Sequence, residues 1–248
     1  ILGVSFAVAS FPVLSRLYVE RNDELFLKEF LRNFRTIVVF VVPVAALFFI
    51  LRAHIVRVLL GAGNFDWVDT RLTGAALGTF TIGIVFSSLI PLFTRAFYAR
   101  HNTKTPVLIN TIGAILGVGV AIGLVAWFKQ SGAIQVQIFN FLDLDGVPNR
   151  EIVALPLGIS FGALINFLLL AVAFLKNESA LLRQSLRFFL KVSFIASVSG
   201  FIGWVVLRLA LYFLDLTTFV GVFVHGSLGA ITGIAIYFVL SSLFHIEE

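Results

Sequence analysis

The residues that could do chemistry in this 248-residue sequence are few, and they form no catalytic pattern. All 13 acidic residues lie in polar connections, at the ends of apolar runs or in the C-terminal tail. The four histidines are far apart in sequence and form no local metal-binding motif, and cysteine is absent. A glycine-rich nucleotide loop followed by Lys-Ser/Thr is also absent. The sequence therefore predicts a protein that is not an enzyme and that uses no metal or cofactor.

Four polar side chains inside or near the apolar runs remain as candidate substrate contacts: Ser5, Ser10, Asn166 and Arg208. Polar groups at membrane depth usually face a cavity or the interior of a helix bundle. For the two serines and the asparagine, the alternative is a hydrogen bond to the backbone of a neighbouring helix. For Arg208 the alternatives are a side chain that extends outward to the interface and one that meets a lipid phosphate.

Membrane helices must position these residues, because 59% of the chain is hydrophobic, 12% is charged and the mean hydropathy is +1.04. A soluble domain carries about 25% charged residues. The apolar runs are long and continuous, which predicts transmembrane helices. We expect an all-α, polytopic membrane protein with about seven transmembrane segments, the first of them truncated. The segments are residues 1–18, 36–60, 71–93, 107–128, 152–175, 192–214 and 218–244.

Two charged connections separate some of these segments. Residues 19–35 carry charges of both signs, with apolar residues at helical spacing, which predicts an amphipathic connector on the membrane surface. Residues 176–191 are predicted to be a second, basic connector. Tight turns are expected at residues 61–69 and 215–217.

The longest polar connection is residues 129–150. Apolar and polar residues alternate over residues 134–142, which predicts a short hairpin outside the membrane. The turn that follows, with Asp143, Asp145 and Gly146, is weakly similar to a calcium loop. Because the closing glutamate and the later ligands are missing, a plain turn is predicted instead.

Lys and Arg are distributed unequally between the two sides of the membrane. Twelve fall on one side: Arg16, Arg21, Lys28, Arg32, Arg35, Arg95, Arg100, Lys104, Lys176, Arg183, Arg187 and Lys191. Six fall on the other: Arg52, Arg57, Arg71, Lys129, Arg150 and Arg208. The richer side is predicted to be cytoplasmic, with a cytoplasmic C-terminus and an external 129–150 loop. This bias also explains the net charge of +5 without nucleic acid as a partner.

Residues 94–106, TRAFYARHNTKTP, are the most polar short joint between two long apolar runs. Arg95, Arg100, His101 and Lys104 lie in it without an acidic residue. This pattern predicts a transmembrane hairpin with a cytoplasmic tip, and Pro106 is suited to the first turn of the following helix. The alternative is a basic loop that only sets the topology.

Three motifs resemble the bacterial lipid II flippases, the MurJ/MviN family. They are ILGVSFAVASFPVLSRLYVERND, VLLGAGNFDWVDTRLTGAAL and RAFYARHNTKTPV, in the order and at the spacing of the family. Together they cover roughly residues 1–112. The residues that carry the resemblance are Pro12, Arg95, Phe97, Tyr98, Lys104, Thr105 and Pro106.

The resemblance implies a fourteen-helix exporter fold with two six-helix lobes around a cavity and two further helices that form a lipid-facing groove. Residues 1–176 would be most of the C-terminal lobe, and residues 177–248 the additional pair. The implied function is transfer of an undecaprenyl-pyrophosphate-linked glycopeptide across the bacterial inner membrane. Membrane lipids and the N-terminal lobe are the implied partners. The alternatives are a sibling exporter of drugs or other polyprenyl-linked glycans, and a scaffold that does not transport.

The sequence also departs from what the resemblance implies. The cavity arginines of the family lie in the first lobe and early in its eighth helix, outside this sequence. Several members carry polar or acidic residues in the eleventh helix, where this chain has Gly117, Val118 and Ala121, so no cation site is expected there. Gly113 and Gly117 form a GxxxG pair, which predicts close helix packing.

Overall fold

The computed structural model describes residues 2–61, 65–130, 132–176, 178–213 and 218–244. The helices in those ranges are α1 (Leu2–Val19), α2 (Asp23–Leu60), α3 (Trp67–Ala99), α4 (Lys104–Phe128), α5 (Ala133–Phe141), α6 (Ala154–Leu175), α7 (Ser179–Ala210) and α8 (Phe219–Leu243). A 3₁₀ turn, Arg150–Val153, precedes α6. The predicted turn at 215–217, the tail at 245–248 and residues 62–64 of the first turn lie outside the described residues.

Within the described ranges, six helices are long and apolar enough to cross a membrane, namely α2, α3, α4, α6, α7 and α8, and α1 is a shorter apolar helix. No strand occurs in the described ranges. These seven apolar helices confirm the predicted all-α, polytopic membrane fold.

The predicted surface connector at residues 19–35 is not a separate element, because α2 is one helix of 38 residues. The Asn22 side chain caps its start by accepting a hydrogen bond from a backbone N–H at 3.1 Å. Phe26, Phe30 and Phe34 are buried at four-residue spacing, and this stripe continues into the apolar half. At 1.5 Å per residue α2 is roughly 57 Å long, about twice the hydrocarbon thickness. Its charged first turns must therefore extend beyond the membrane.

The predicted basic connector at residues 176–191 is also largely wrong. Helix α7 begins at Ser179 and continues to Ala210, so its basic half and its apolar half form one helix. Ser185, Val192 and Ile195 are buried on the same face across the expected boundary. Because that face stays packed along the whole helix, the change from basic to apolar composition does not end the helix.

The predicted hairpin at residues 134–142 is wrong, since Ala133–Phe141 forms α5. Gln135 and Phe139, four residues apart, are its buried side chains. The Phe139 ring packs edge-on against Phe128 at 5.1 Å, and the Gln135 amide donates to the carbonyl of Trp127 at 3.3 Å. That carbonyl lies in the last turn of α4 and also accepts from the backbone N–H of Gln130 at 3.1 Å. The alternating pattern was misleading because Ile134 and Val136 are exposed.

An aromatic cluster joins α2, α3 and α6. The Phe30 ring lies 4.6 Å from Phe174 and 5.1 Å from Phe93. All three rings are buried, and aromatic pairs at such distances stabilise a core beyond the area they bury. Helix α1 packs against α2 and α3, while α7 and α8 pack against each other and against α2.

Helices α4 and α6 cross at very short range through small residues. A Cβ built on Gly162 of α6 would lie 2.6 Å from the Gly117 Cα of α4, and one built on Gly158 would overlap the backbone of Ala121. Farther along the same crossing, Gly113 faces the Asn166 side chain. The close helix packing predicted from Gly113 and Gly117 is confirmed. Gly117 and Ala121 both lie in the contact with α6.

Candidate functional site

The joint between α3 and α4 is narrower than residues 94–106 predict, because only residues 100–103 lie between the two helices. The Arg100 guanidinium lies 4.8 Å from the ring centre of Phe26 and 4.6 Å from that of Phe174. Cation–π contacts on two rings fix this side chain between α2 and α6. The basic joint therefore has a packing role in addition to any effect on topology.

The turn itself is closed by local polar contacts. His101 has a φ of 56°, in the left-handed region, and its ring packs edge-on against Tyr18 at 5.7 Å. The Asn102 Oδ1 accepts from the Thr105 N–H at 3.1 Å, and its Nδ2 donates to the Thr105 Oγ1 at 3.0 Å. These bonds cap the start of α4.

The remaining motif residues divide between packing and exposure. The Arg95 guanidinium lies 5.6 Å from the Phe11 ring centre, which connects α3 to α1. Phe97 is buried at 5.4 Å from Phe174, and Tyr98 is half-buried beside it in sequence. Pro106 is buried in the first turn of α4, whereas the side chains of Lys104 and Pro12 are exposed. The motif thus places two cations on aromatic rings and leaves Lys104 accessible.

The four candidate substrate contacts lie on three different helices. Ser5 is exposed on α1. Ser10 is buried and donates to the carbonyl of Ala7 at 3.0 Å, so its hydroxyl bonds its own helix. The Arg208 side chain is exposed in the last turn of α7, with its guanidinium 5.1 Å from the Trp204 ring centre. The contacts of Ser10 and Arg208 are thus explained locally.

Asn166 has a different environment. Its Oδ1 is buried on the α4–α6 crossing and has no hydrogen-bond partner in the described part of the chain. The Oδ1 of Asn110 on α4 and the Oγ1 of Thr94 on α3 share this property. Unpaired buried oxygens are unusual, because an unmade hydrogen bond costs roughly 1–3 kcal/mol. Asn110 was not among the candidates predicted from the sequence, although it is one of the few polar residues in an otherwise apolar run.

Three adjoining cavities follow the surface where α2, α7 and α8 meet. The first, here called the basic pocket, has a volume of about 530 Å³ and is lined by Arg35, Arg183, Gln184, Arg187, Phe188 and Lys191 among others. The second, the cleft, has about 1040 Å³ and shares Arg35, Gln184 and Phe188 with it. The third, the apolar groove, has about 200 Å³ and shares Val39, Phe40, Tyr237 and Phe238 with the cleft. In the sequence these cations indicate only the topology, because no local pattern shows that they surround a cavity.

A polar bridge joins α2, α8 and α7 beyond the end of the apolar groove that is farther from the basic pocket. The His225 Nε2 lies 2.8 Å from the carbonyl of Leu207, and its Nδ1 lies 2.7 Å from the His54 Nε2. Because a carbonyl only accepts, the proton of a neutral His225 is on Nε2, and His54 donates to Nδ1. The Leu207 carbonyl belongs to the last turn of α7, where helix carbonyls have no donor four residues later within the helix. The histidines are 171 residues apart in sequence, which is why no local motif indicated this pair.

Comparison with known proteins agrees with this architecture. A sequence model of the family described as lipid II flippase MurJ matches residues 1–228. The lipid II flippase MurJ of Burkholderia cenocepacia is 28% identical over 208 residues, which is 82% of this chain and 36% of that protein. The probable lipid II flippase MurJ of Borreliella burgdorferi is 22% identical over 142 residues, or 57% and 28% of the two lengths.

A third relative, the lipid II flippase MurJ of Thermosipho africanus, is 32% identical over 109 residues, covering 43% of this chain and 22% of that protein. The chain thus spans about a third or less of the length of these curated relatives. The match to the family model nevertheless covers most of the chain. The chain belongs to the lipid II flippase family MurJ.

Proposed function

We propose that this chain is the part of a lipid II flippase that supplies most of one transport lobe, residues 1–176, and the accessory helix pair, residues 177–248. The whole protein would move the undecaprenyl-pyrophosphate-linked peptidoglycan precursor from the inner to the outer leaflet by alternating access. The observation that carries the proposal is the family match over residues 1–228. The packing of α7 and α8 on each other and on α2 supports the division into lobe and pair.

The apolar groove is the proposed position of the substrate's polyprenyl tail. Its lining is almost entirely apolar and comes from α2, α7 and α8. Burial of apolar surface against such a lining stabilises a bound chain by about 25 cal/mol per Å². Asn166, with its unpaired Oδ1, is the preferred candidate for a polar substrate contact, and Ser5, Ser10 and Arg208 remain candidates with weaker support.

The proposed orientation places the α3–α4 joint in the cytoplasm of the bacterial inner membrane and α5 outside it, in accord with the distribution of cations. Thr103 in the joint and Asn140 on α5 are both exposed. Single cysteines at these positions should react with a membrane-impermeant reagent from opposite faces. Reaction of both from the same face would contradict the orientation.

Transport needs the whole protein, because alternating access requires two bundles that move around a shared site. A diphosphate also needs cationic partners inside the bilayer, and an unpaired charge there is very costly. Full-length protein should therefore restore precursor export in a cell depleted of its own flippase, whereas residues 1–248 alone should not. Failure of the full-length protein to rescue, at normal membrane levels, would reject the proposed substrate, as expected for a sibling exporter.

A further inference from the structure

The basic pocket has the composition of an anion site. Arg183, Arg187 and Lys191 follow one another at four-residue spacing on α7, so they share one face of the helix. Cations at this spacing repel each other, and α7 contains no acidic residue to offset that repulsion. Arg35 of α2 adds a fourth cation, with its guanidinium 5.2 Å from the Phe188 ring centre. No carboxylate lines the pocket among the residues that the structure describes.

The start of α7 adds to the same positive field. Ser179 and Ala180, the first two residues of the helix, line the pocket. Glu178 occupies the N-cap position but makes no side-chain capping hydrogen bond. The first backbone N–H groups of a long helix carry partial positive charge, and they bind phosphates readily. A row of cations and a helix start therefore converge on one cavity.

The pocket also adjoins a path along α2 that is lined by both polar and apolar residues in the cleft, Glu29 among them, and becomes apolar in the groove. Arg35, Val39, Pro43 and Leu47 lie at four-residue spacing on α2, from the basic pocket through the cleft to the far part of the groove. This spacing corresponds to roughly 18 Å along the helix axis. A ligand that has a phosphate head and one long apolar tail fits this arrangement.

We propose that the basic pocket binds the diphosphate of a polyprenyl diphosphate while its tail lies in the apolar groove, as a docking site on the outside of the lobe. The proposal rests on the proposed function, since it assigns a second site to the same substrate class. One feature favours this ligand over a membrane phospholipid, since four cations match a diphosphate better than the single charge of a phosphodiester.

A site-specific crosslink tests the proposal without interference from any other phosphate site in the whole protein. A photoreactive amino acid replaces Gln184, an exposed residue of the pocket lining, in the full-length protein in detergent. Radiolabelled undecaprenyl diphosphate is the probe. We expect a crosslink that excess undecaprenyl diphosphate removes and that undecaprenol or phosphatidylglycerol leaves in place. Equal competition by phosphatidylglycerol would identify a phospholipid site instead, and competition by undecaprenol would exclude a role for the phosphates.

Charge variants provide the matched controls. Arg183→Gln with Arg187→Gln should reduce the crosslink at least about tenfold, because two charge-assisted hydrogen bonds are lost. Arg16→Gln with Lys176→Gln removes the same charge from exposed positions outside the pocket and should leave the yield unchanged. Arg183→Lys with Arg187→Lys should retain most of it, which separates loss of charge from loss of folding. Equal crosslinking in the two glutamine pairs would reject the site.

Precursor export by the wild-type protein is measured in parallel. A charge-dependent crosslink without export would leave the site in place and reject the proposed function. Export together with a crosslink that is insensitive to charge would support the proposed function and reject the basic pocket as a diphosphate site.

Discussion

Pro43 creates a defect in α2 that a residue of α8 repairs. Proline has no N–H, so the carbonyl of Val39, four residues earlier, lacks its helical donor. The Tyr237 hydroxyl donates to that carbonyl at 2.9 Å, across 198 residues of sequence. Tyr237 is 6% exposed, so water has little access to replace the bond. The proline and the tyrosine should therefore be energetically coupled.

The size of this coupling follows from the hydrogen bond. Tyr237→Phe keeps the ring packed and removes only the hydroxyl, leaving the Val39 carbonyl without a donor. A buried acceptor left unpaired costs roughly 1–3 kcal/mol. With Pro43→Ala, residue 43 regains an N–H that can bond Val39 within α2. Tyr237→Phe should then cost less than about 0.5 kcal/mol, which gives a coupling energy of roughly 0.5–3 kcal/mol.

A double-mutant cycle measures this value. The free energy of unfolding of the purified full-length protein is determined by denaturant titration in micelles for the wild type, both single variants and the double variant. Because the cycle subtracts effects common to both backgrounds, a general loss of packing by Tyr237→Phe cancels. Equal costs of Tyr237→Phe with proline and with alanine at position 43 would show that the tyrosine does not repair the helix.

Two further variants test the helix contacts. His225→Leu should lower the free energy of unfolding by roughly 2–4 kcal/mol, because it leaves both the Leu207 carbonyl and a nitrogen of His54 unpaired; a cost near zero in the same titration would argue against the bridge. Gly162→Ala should cost roughly 1–3 kcal/mol, since its Cβ must separate α4 and α6. Gly119→Ala, where a Cβ meets nothing within 4 Å, should be nearly neutral, and similar costs at the two glycines would contradict the close crossing.

Hydropathy predicted the apolar helices correctly because each depends on a long local run. The α3–α4 joint was also located from local composition, and GxxxG spacing predicted close packing by α4, although not that α6 is its partner. Helix boundaries were less accurate. The charged parts of α2 and α7 differ in composition from their apolar parts, yet one buried stripe runs through both. The composition of a segment reflects how far it is exposed to water. The helix, in contrast, continues for as long as one of its faces stays packed.

The polar contacts between distant helices could not be predicted, for a physical reason. The His54–His225 bridge and the Tyr237–Val39 bond each join residues more than 170 positions apart. Pro43 does indicate that one carbonyl needs a donor, but no local pattern identifies which hydroxyl provides it. The basic pocket has a similar origin. Its cations were visible in the sequence, but the fold alone places Arg35 opposite the row on α7.

The polar links share a consequence for the proposed transport, because they hold α7 and α8 against α2. The histidine bridge joins α2, α8 and α7 at one end, and Tyr237 joins α8 to α2 along the groove. At the opposite end of the pair, Lys191 of α7 donates to the carbonyl of Phe244, just after α8. A cation at the C-terminal end of a helix also interacts favourably with the helix dipole. We infer that α7 and α8 move with α2 as one body, which would preserve the groove while the lobe rocks. Spin labels on α2 and α8 should then keep their separation when the distance from α2 to the other lobe changes.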